Sequence, residues 1–222
     1  MKELSIVTEN HQSVDRDYLS RVIDVDYPKH KAAKIAKKWG FDYWDGDRRI
    51  CYGGYHYRPG YWSRVAKLLV ETYELTSESK ILDVGCGKGF LLYEITMLLP
   101  GISVQGVDIS SYAIENSKPE IKQNLMIASA SMLPFEDLQF DLCLSINTLH
   151  NLYNFDLFKA LKEIVRVSRN SFVCVESYLT ELQKSNLIYW QVTCESFYTP
   201  DEWKWFFQLS GYDRDFEFIY FD

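Results

Sequence analysis

Between residues 81 and 90 the chain reads Ile-Leu-Asp-Val-Gly-Cys-Gly-Lys-Gly-Phe, a short apolar run that breaks into three glycines at alternate positions. Ile81, Leu82 and Val84 suit a strand covered on both faces, and Leu91, Leu92, Ile95, Leu98 and Leu99 recur at helical spacing directly afterwards. Gly85, Gly87 and Gly89 therefore occupy a strand-to-helix turn. There they let the backbone take φ > 0 and approach a bound molecule, which the helix start meets with unpaired N–H groups. A dinucleotide turn needs G-x-G-x-x-G. Counted from Gly85, its third glycine would fall at Phe90, so the pyrophosphate reading is set aside.

Three further segments follow. Gly106-Val107-Asp108-Ile109-Ser110 closes a strand begun at Ser103 and Val104. It places an acid roughly 20 residues after the glycines, where a ribose is commonly gripped. Next come Ala128-Ser129-Ala130-Ser131-Met132-Leu133-Pro134-Phe135 and Phe140-Asp141-Leu142-Cys143-Leu144-Ser145-Ile146-Asn147-Thr148-Leu149-His150. With Asp83 two residues before Gly85, these segments resemble, in order and spacing, the motifs of the class I S-adenosylmethionine-dependent methyltransferases of the small-molecule, type 11-like kind.

The resemblance implies S-adenosylmethionine as cofactor and S-adenosylhomocysteine as product. It implies that Asp83 orients the methionine end, that the backbone of Gly85, Cys86, Gly87 and Gly89 approaches the same portion, and that Asp108 takes both ribose hydroxyls, with Ile109 in the same site. Ser129 stands where the family usually has Asp, so a shorter hydroxyl meets the adenine amino group, directly or through water, beside the Ala130 N–H. Asn147, at the end of the fourth strand, accepts from the cofactor ammonium. His150 closes the loop above which the family's reaction occurs, and a neutral imidazole suits proton removal near pH 7. It is the general-base candidate, against the alternative of holding the loop by hydrogen bonds. Asp141 and Glu176, at a strand start and a strand end, are open between structural and catalytic roles.

From residue 80 onward strand and helix alternate: strands at 80–85, 103–108, 124–128, 139–146 and 171–177, helices at 89–99, 111–118 and 155–167. This predicts an α/β, Rossmann-like, doubly wound and mostly parallel sheet with helices on both faces. Thr199-Pro200 opens a last helix that Gly211 stops, and 215–221 alternates as a strand. The family's sheet usually ends in two strands here. Only one fits, which leaves a shortened edge or a strand hidden within 186–198.

Residues 1–79 carry no sheet signal and read as an N-terminal helical and aromatic cap preceding the cofactor-binding domain of 80–222. Helical patterns around 29–39 and 61–74 flank a long loop rich in glycine, aromatic and basic residues. Loops this long in compact domains are commonly lids or binding loops, the alternative being a static cap. Tyr52, Tyr55, His56, Tyr57, Arg58 and Trp62 are its substrate-binding candidates, and Arg48, Arg49, Arg58 and His56 suit an anion. Tyr52, Tyr55, Tyr57 or Trp62 can also steady a sulfonium by cation–π attraction, worth roughly 0.5–2 kcal/mol.

A net charge of −7, with the lysines at 29, 31, 34, 37 and 38 scattered along one helix, disfavours nucleic acid as partner. Five cysteines without a C-x-x-C pair read as reduced core residues. His11, His30, His56 and His150 form no ligand-spaced set, so no metal is expected. No apolar run reaches the ~18–20 residues of a membrane span. The start, with Lys2, Glu3, Glu9 and Asp15, lacks a signal peptide's apolar core, so a cytoplasmic compartment and no membrane partner are expected.

The leading expectation is methyl transfer to an O or N atom of a small polar metabolite such as a sugar, amino acid or phosphate-bearing compound. The mixed polar and aromatic segment 183–191 is a candidate recognition element. Two other readings stay open: intramolecular alkylation of the cofactor with release of methylthioadenosine, and a non-catalytic binding protein of the same fold. The oligomeric state is open, a homodimer included.

Overall fold

The computed structural model describes residues 1–8 and 16–222. Among them six strands form one sheet: β1 (Lys80–Val84), β2 (Ser103–Asp108), β3 (Leu125–Ile127), β4 (Phe140–Ile146), β5 (Ser168–Glu176) and β6 (Asp215–Ile219). Their order is β3-β2-β1-β4-β5-β6 and every pairing is parallel. The α-helices are α1 (Ser20–Ile23), α2 (Lys29–Ala36), α3 (Phe41–Trp44), α4 (Ser63–Thr72), α5 (Phe90–Leu98), α6 (Ser111–Glu115), α7 (Asn154–Val167), α8 (Glu181–Trp190) and α9 (Pro200–Ser210). None of the described helices is long and apolar enough to cross a membrane.

Successive strand residues face opposite sides, and both sides are covered. Ile81, Leu142, Leu144, Phe172 and Cys174 pack with Val65 and Leu69 of α4 and Leu92 and Ile95 of α5. Leu82, Val84, Cys143, Val173 and Val175 pack on the other side with Leu157, Leu161 and Ile164 of α7 and Trp203 and Phe207 of α9. This is the doubly wound α/β sheet that the alternation predicts. The chain leaves β1 in one direction and returns to β4 in the other, so a crevice opens at the carboxyl ends of β1, β2 and β4, where ligands of such sheets bind.

The end of the chain resolves the open choice at the sheet edge. Residues 181–190 are helix, and the single strand β6 pairs directly with β5, so the sheet is shortened. Helix α9 has the expected punctuation. Thr199 accepts from the Glu202 N–H, the Glu202 carboxylate returns to the Thr199 N–H at 2.8 Å, and Gly211 ends the helix at φ 76°.

Two sequence expectations are corrected. Strand β5 begins at Ser168, because Ser168 and Asn170 pair with Phe140 and Leu142 of β4 despite their polar side chains. The expected absence of sheet structure before residue 80 fails at Glu3, which bridges Phe216 in parallel, with Leu4 N–H donating to Phe216 O at 2.8 Å. The buried Glu217 carboxylate fixes this segment by accepting from the Ile6 and Val7 N–H groups at 2.8 Å and the Thr8 N–H at 2.6 Å. The open edge of β6 is thereby covered.

Helices α2 and α3 and the loop after them form a third apolar cluster, in which Ala32, Ala36, Tyr43, Trp44 and Ile50 meet Ala113 of α6 and Val192. This layer lies over the glycine turn. One buried ion pair ties it down: Lys88 Nζ donates to both Asp45 oxygens, at 2.6 and 2.8 Å, and to the Tyr55 carbonyl at 2.9 Å.

Candidate active site

The crevice at the carboxyl ends of β1, β2 and β4 is floored by residues 83–87, walled by Val107, Asp108, Ile109, Ala128, Ser129 and Ala130, and closed by Asn147, Thr148 and Asn151. Its roof is the N-terminal layer, through Trp39, Tyr43, Trp44, Tyr52, Tyr55 and Trp62. The structure thus gathers Asp83, Gly85, Cys86, Gly87, Asp108, Ile109, Ser129, Ala130 and Asn147 around one cleft, together with Tyr52, Tyr55 and Trp62.

The glycine turn is shaped by what touches it. At Gly85, with φ 83°, a Cβ would stand 2.0 Å from Thr148 Oγ1, and at Gly87, with φ 55°, a Cβ would stand 2.9 Å from the Trp44 ring. These positions bring backbone to the cleft where any side chain would fill it. Gly89 lies behind the cleft as the left-handed N-cap of α5, against Ile121 and Leu125.

Asp108 is 9% exposed, and its carboxylate accepts the Gly87 N–H and the Ser110 N–H, both at 2.8 Å. Burial raises its pKa against the pull of those amides. Asp83 is 5% exposed, and burial, with the Asp108 charge adding, lifts its pKa to about 7. Asn147 sits at φ 55° with its N–H bound to Cys174 O, and its buried amide oxygen lacks a hydrogen-bond partner among the described residues. That oxygen and the two acids are chemistry waiting for a ligand with donors. Ser129 Oγ pairs with Ser131 Oγ at 2.9 Å.

Other sequence candidates lie elsewhere. Tyr57 turns away, donating its hydroxyl to Glu94 Oε1 at 2.6 Å, and Arg58 lies over the Tyr61 ring. His56 is exposed and is not part of the cleft lining. Asp141 accepts from the Lys80 N–H at the far end of the sheet.

His150 is absent from the cleft wall and lines an adjoining pocket with Glu176, Arg16, Arg21, Arg48, Trp190 and Gln191. The two spaces share Tyr43, Tyr52, Asn147 and Asn151 as their partition. His150 Nε2 lies 3.5 Å from Glu176 Oε2, both side chains buried. Burial lowers the His150 pKa to about 3 and raises that of Glu176 to about 8, each toward its uncharged form.

Trp39, Tyr43, Trp44 and Asn151 were not singled out in the sequence. The aromatic loop from Tyr43 to Trp62 contains Tyr43 and Trp44, whereas Trp39 ends the helical pattern at 29–39. Among the described residues no group of His, Cys, Asp and Glu could hold a metal ion, and His11 lies outside them.

The raised pKa of Asp83 sets a pH dependence. An acid at about 7 when folded and ~3.9 when unfolded keeps its proton longer in the folded state, so its contribution to stability falls as pH rises between those values. Hydrogen-bond donors of a ligand prefer the ionised acid, so affinity for a ligand that donates to Asp83 should rise from about pH 6 to 8 while the melting temperature of the free protein falls. Asp83→Asn should flatten both trends. Calorimetry and thermal melts across that range provide the check.

Comparison with known proteins adds the following. The family described as "Methyltransferase domain" matches residues 82–174. The chain is similar to a tRNA (carboxymethyluridine(34)-5-O)-methyltransferase of Arabidopsis thaliana, 28% identical over 177 residues, covering 79% of this chain and 36% of that protein. It is also similar to the O-methyltransferase rstn1 of Aspergillus nomiae, 31% identical over 130 residues, covering 50% of this chain and 56% of that protein. The chain therefore spans about a third of the first relative's length and about half of the second's. The crystal structure of the YcgJ protein of Bacillus subtilis shares the fold at a TM-score of 0.53 and 20% identity, over 65% of this chain and 66% of that one.

Proposed function

We propose that this chain, which belongs to the class I S-adenosylmethionine-dependent methyltransferase family, binds S-adenosylmethionine in the cleft at the ends of β1, β2 and β4 and transfers its methyl group to an O or N atom of a small polar metabolite. The observation that carries this reading is the convergence of two buried acids, Asp83 and Asp108, on a glycine turn whose Cβ positions are already occupied. Bound there, the cofactor supplies a methyl group made electrophilic by a sulfonium.

The residues then have distinct tasks. Asp108 takes the ribose hydroxyls, Asp83 and the Asn147 amide oxygen receive the donors of the methionine end, and Ser129 and Ala130 flank the adenine. Tyr52, Tyr55 and Trp62 exclude water and offer ring faces to positive charge. His150, 3.5 Å from Glu176 beside the cleft, is the base candidate for the nucleophile, and because burial lowers its pKa to about 3 it takes that proton only when the bound acceptor restores its basicity. A cytoplasmic location belongs to this reading.

Asp108→Ala should weaken S-adenosylhomocysteine binding by at least about tenfold, on the order of 1.4 kcal/mol. A folded variant of unchanged affinity, measured by calorimetry, would remove Asp108 from the site. His150→Ala should lower turnover severalfold with little change in cofactor affinity. Full activity in that variant would end its role as base.

One observation favours a second reading, methylation of a tRNA: the likeness to the Arabidopsis protein. The net charge of −7 weighs against it, and a radiolabelled methyl-transfer assay on bulk tRNA distinguishes the two.

A further inference from the structure

The pocket behind the cofactor cleft gathers three arginines that make no salt bridge within the described chain, although Asp17 and Asp24 line the space on their other side and the Arg16 charge acts on Glu176. Arg16, Arg21 and Arg48 all line it, their guanidinium carbons 5.6, 4.7 and 5.3 Å from the centre of the Trp190 ring. Arg21 donates to the carbonyls of Trp190 and Cys51, at 3.2 and 3.0 Å, and Arg48 donates to Cys51 O at 2.6 Å. These contacts are to carbonyls, and none of the three arginines pairs with a carboxylate among the described residues. Arg49 beside them differs, being paired with Asp47, Asp26 and Asp24. Like charges gathered on one ring repel, and a fixed set of guanidinium forks is the usual receptor for a carboxylate or phosphate.

The pocket's one carboxylate does not supply the missing charge. Glu176 is 5% exposed, one of its oxygens is bound by the Gln191 amide, and the other, 3.5 Å from His150 Nε2, has no hydrogen-bond partner among the described residues. Burial shifts it toward the protonated form, against the opposing pull of the Gln191 amide and the Arg16 charge. The buried Asn147 and Asn151 amide oxygens, also without partners among the described residues, stand on the partition that the pocket shares with the cofactor cleft. The pocket thus has an anion-binding end at Trp190 and a neutral polar end at His150, Asn147 and Asn151.

We infer that this pocket is the acceptor subsite and that the acceptor is a small molecule bearing a carboxylate or phosphate, held by Arg16, Arg21 and Arg48 with its reacting atom toward Asn147 and Asn151. The inference rests on the cofactor assignment above. Trp190 supports the guanidinium groups by its ring face, and Arg21 and Arg48 are each held through two carbonyls, those of Trp190 and Cys51 and those of Cys51 and Tyr52.

The test uses the full chain saturated with S-adenosylhomocysteine, titrated calorimetrically with inorganic phosphate, with succinate and with bulk tRNA. Phosphate or succinate should bind, and whichever binds identifies the acceptor's anionic group. Arg21→Gln should weaken that binding by at least about tenfold while S-adenosylhomocysteine affinity stays within about twofold. Because Arg21 and Arg48 also secure carbonyls, the Arg16→Gln variant, expected to weaken the same binding, keeps the test independent of folding at those positions. Binding of neither small anion to the loaded protein, or binding that the substitutions leave unchanged, overturns the subsite. Tight tRNA binding that the same substitutions abolish overturns the small acceptor. If S-adenosylhomocysteine itself fails to bind, the cofactor assignment has failed instead.

Discussion

Replacing Lys88 by methionine should destabilise the protein by about 3 kcal/mol and weaken S-adenosylhomocysteine binding by roughly tenfold. The Lys88 side chain is 4% exposed and its ammonium group has all three donors occupied, by both oxygens of Asp45 and the Tyr55 carbonyl. Asp45 also accepts from the Tyr112 hydroxyl at 2.8 Å and the Tyr55 N–H at 2.9 Å, so one carboxylate ties α3, the following loop and α6 to the glycine turn. Removing the cation leaves a mostly buried carboxylate without its counter-charge, a larger loss than the net worth of the pair. The binding effect follows from geometry. Trp44 and Tyr55, which roof the cleft, flank Asp45 in the chain or bond to it, so the roof loosens when the pair breaks. Thermal melts and calorimetric titration of the same variant read both quantities. A melting temperature within a degree of the parent would refute the staple.

Gly85→Ala should cost on the order of 3 kcal/mol, lower the melting temperature by about 10 °C and abolish cofactor binding at accessible concentrations. Two causes act together. The position needs φ 83°, and the new Cβ would stand 2.0 Å from Thr148 Oγ1 and 2.6 Å from Thr148 Cβ. Thr148 follows Asn147, so relief of the clash moves the loop that bears the Asn147 amide oxygen. Adding Thr148→Gly to Gly85→Ala should recover part of the stability, because the steric cause is removed while the backbone strain stays. Equal losses in the single and double variants would show that the clash contributes nothing.

These two positions differ in how legible they were. Gly85 lies inside the strand-glycine-helix unit that predicts the sheet, because the determinants of that unit are adjacent in sequence: apolar Ile81 and Leu82, then alternate glycines, then Leu91, Leu92 and Ile95. The same locality made Thr199, Pro200 and Gly211 readable as the ends of one helix. Lys88 sits within that motif, yet its partner Asp45 is 43 residues away, in a loop whose glycines and aromatics carry no period. A pair of opposite charges at that separation has no one-dimensional signature. Trp44 was hidden for a related reason: its role over Gly87 depends on where α3 is docked, which the staple decides.

The sheet edge was legible only in outline. Counting elements showed room for one strand after α9. That Glu3 would lie beside Phe216 depends on Glu217 collecting the amides of residues 6–8, a long-range contact between the chain's two ends. Strand β5 began three residues early because the ladder from Phe140 to Ser168 is held by backbone, not by side-chain pattern. The adjoining pocket draws on residues from 16 to 221, and no segment of it is a motif. His150 and the arginines near residue 48 were noticed singly, as a base and an anion holder, while their convergence with Glu176 and Trp190 is a property of the fold alone.

The most direct test of the central claim is calorimetric titration of the purified protein with S-adenosylmethionine and S-adenosylhomocysteine, with mass spectrometry on the same samples. The structure predicts micromolar binding of both and no product until an acceptor is added. Acceptor-free formation of methylthioadenosine would replace methyl transfer by intramolecular alkylation, and absence of binding by either molecule would contradict the cofactor assignment itself.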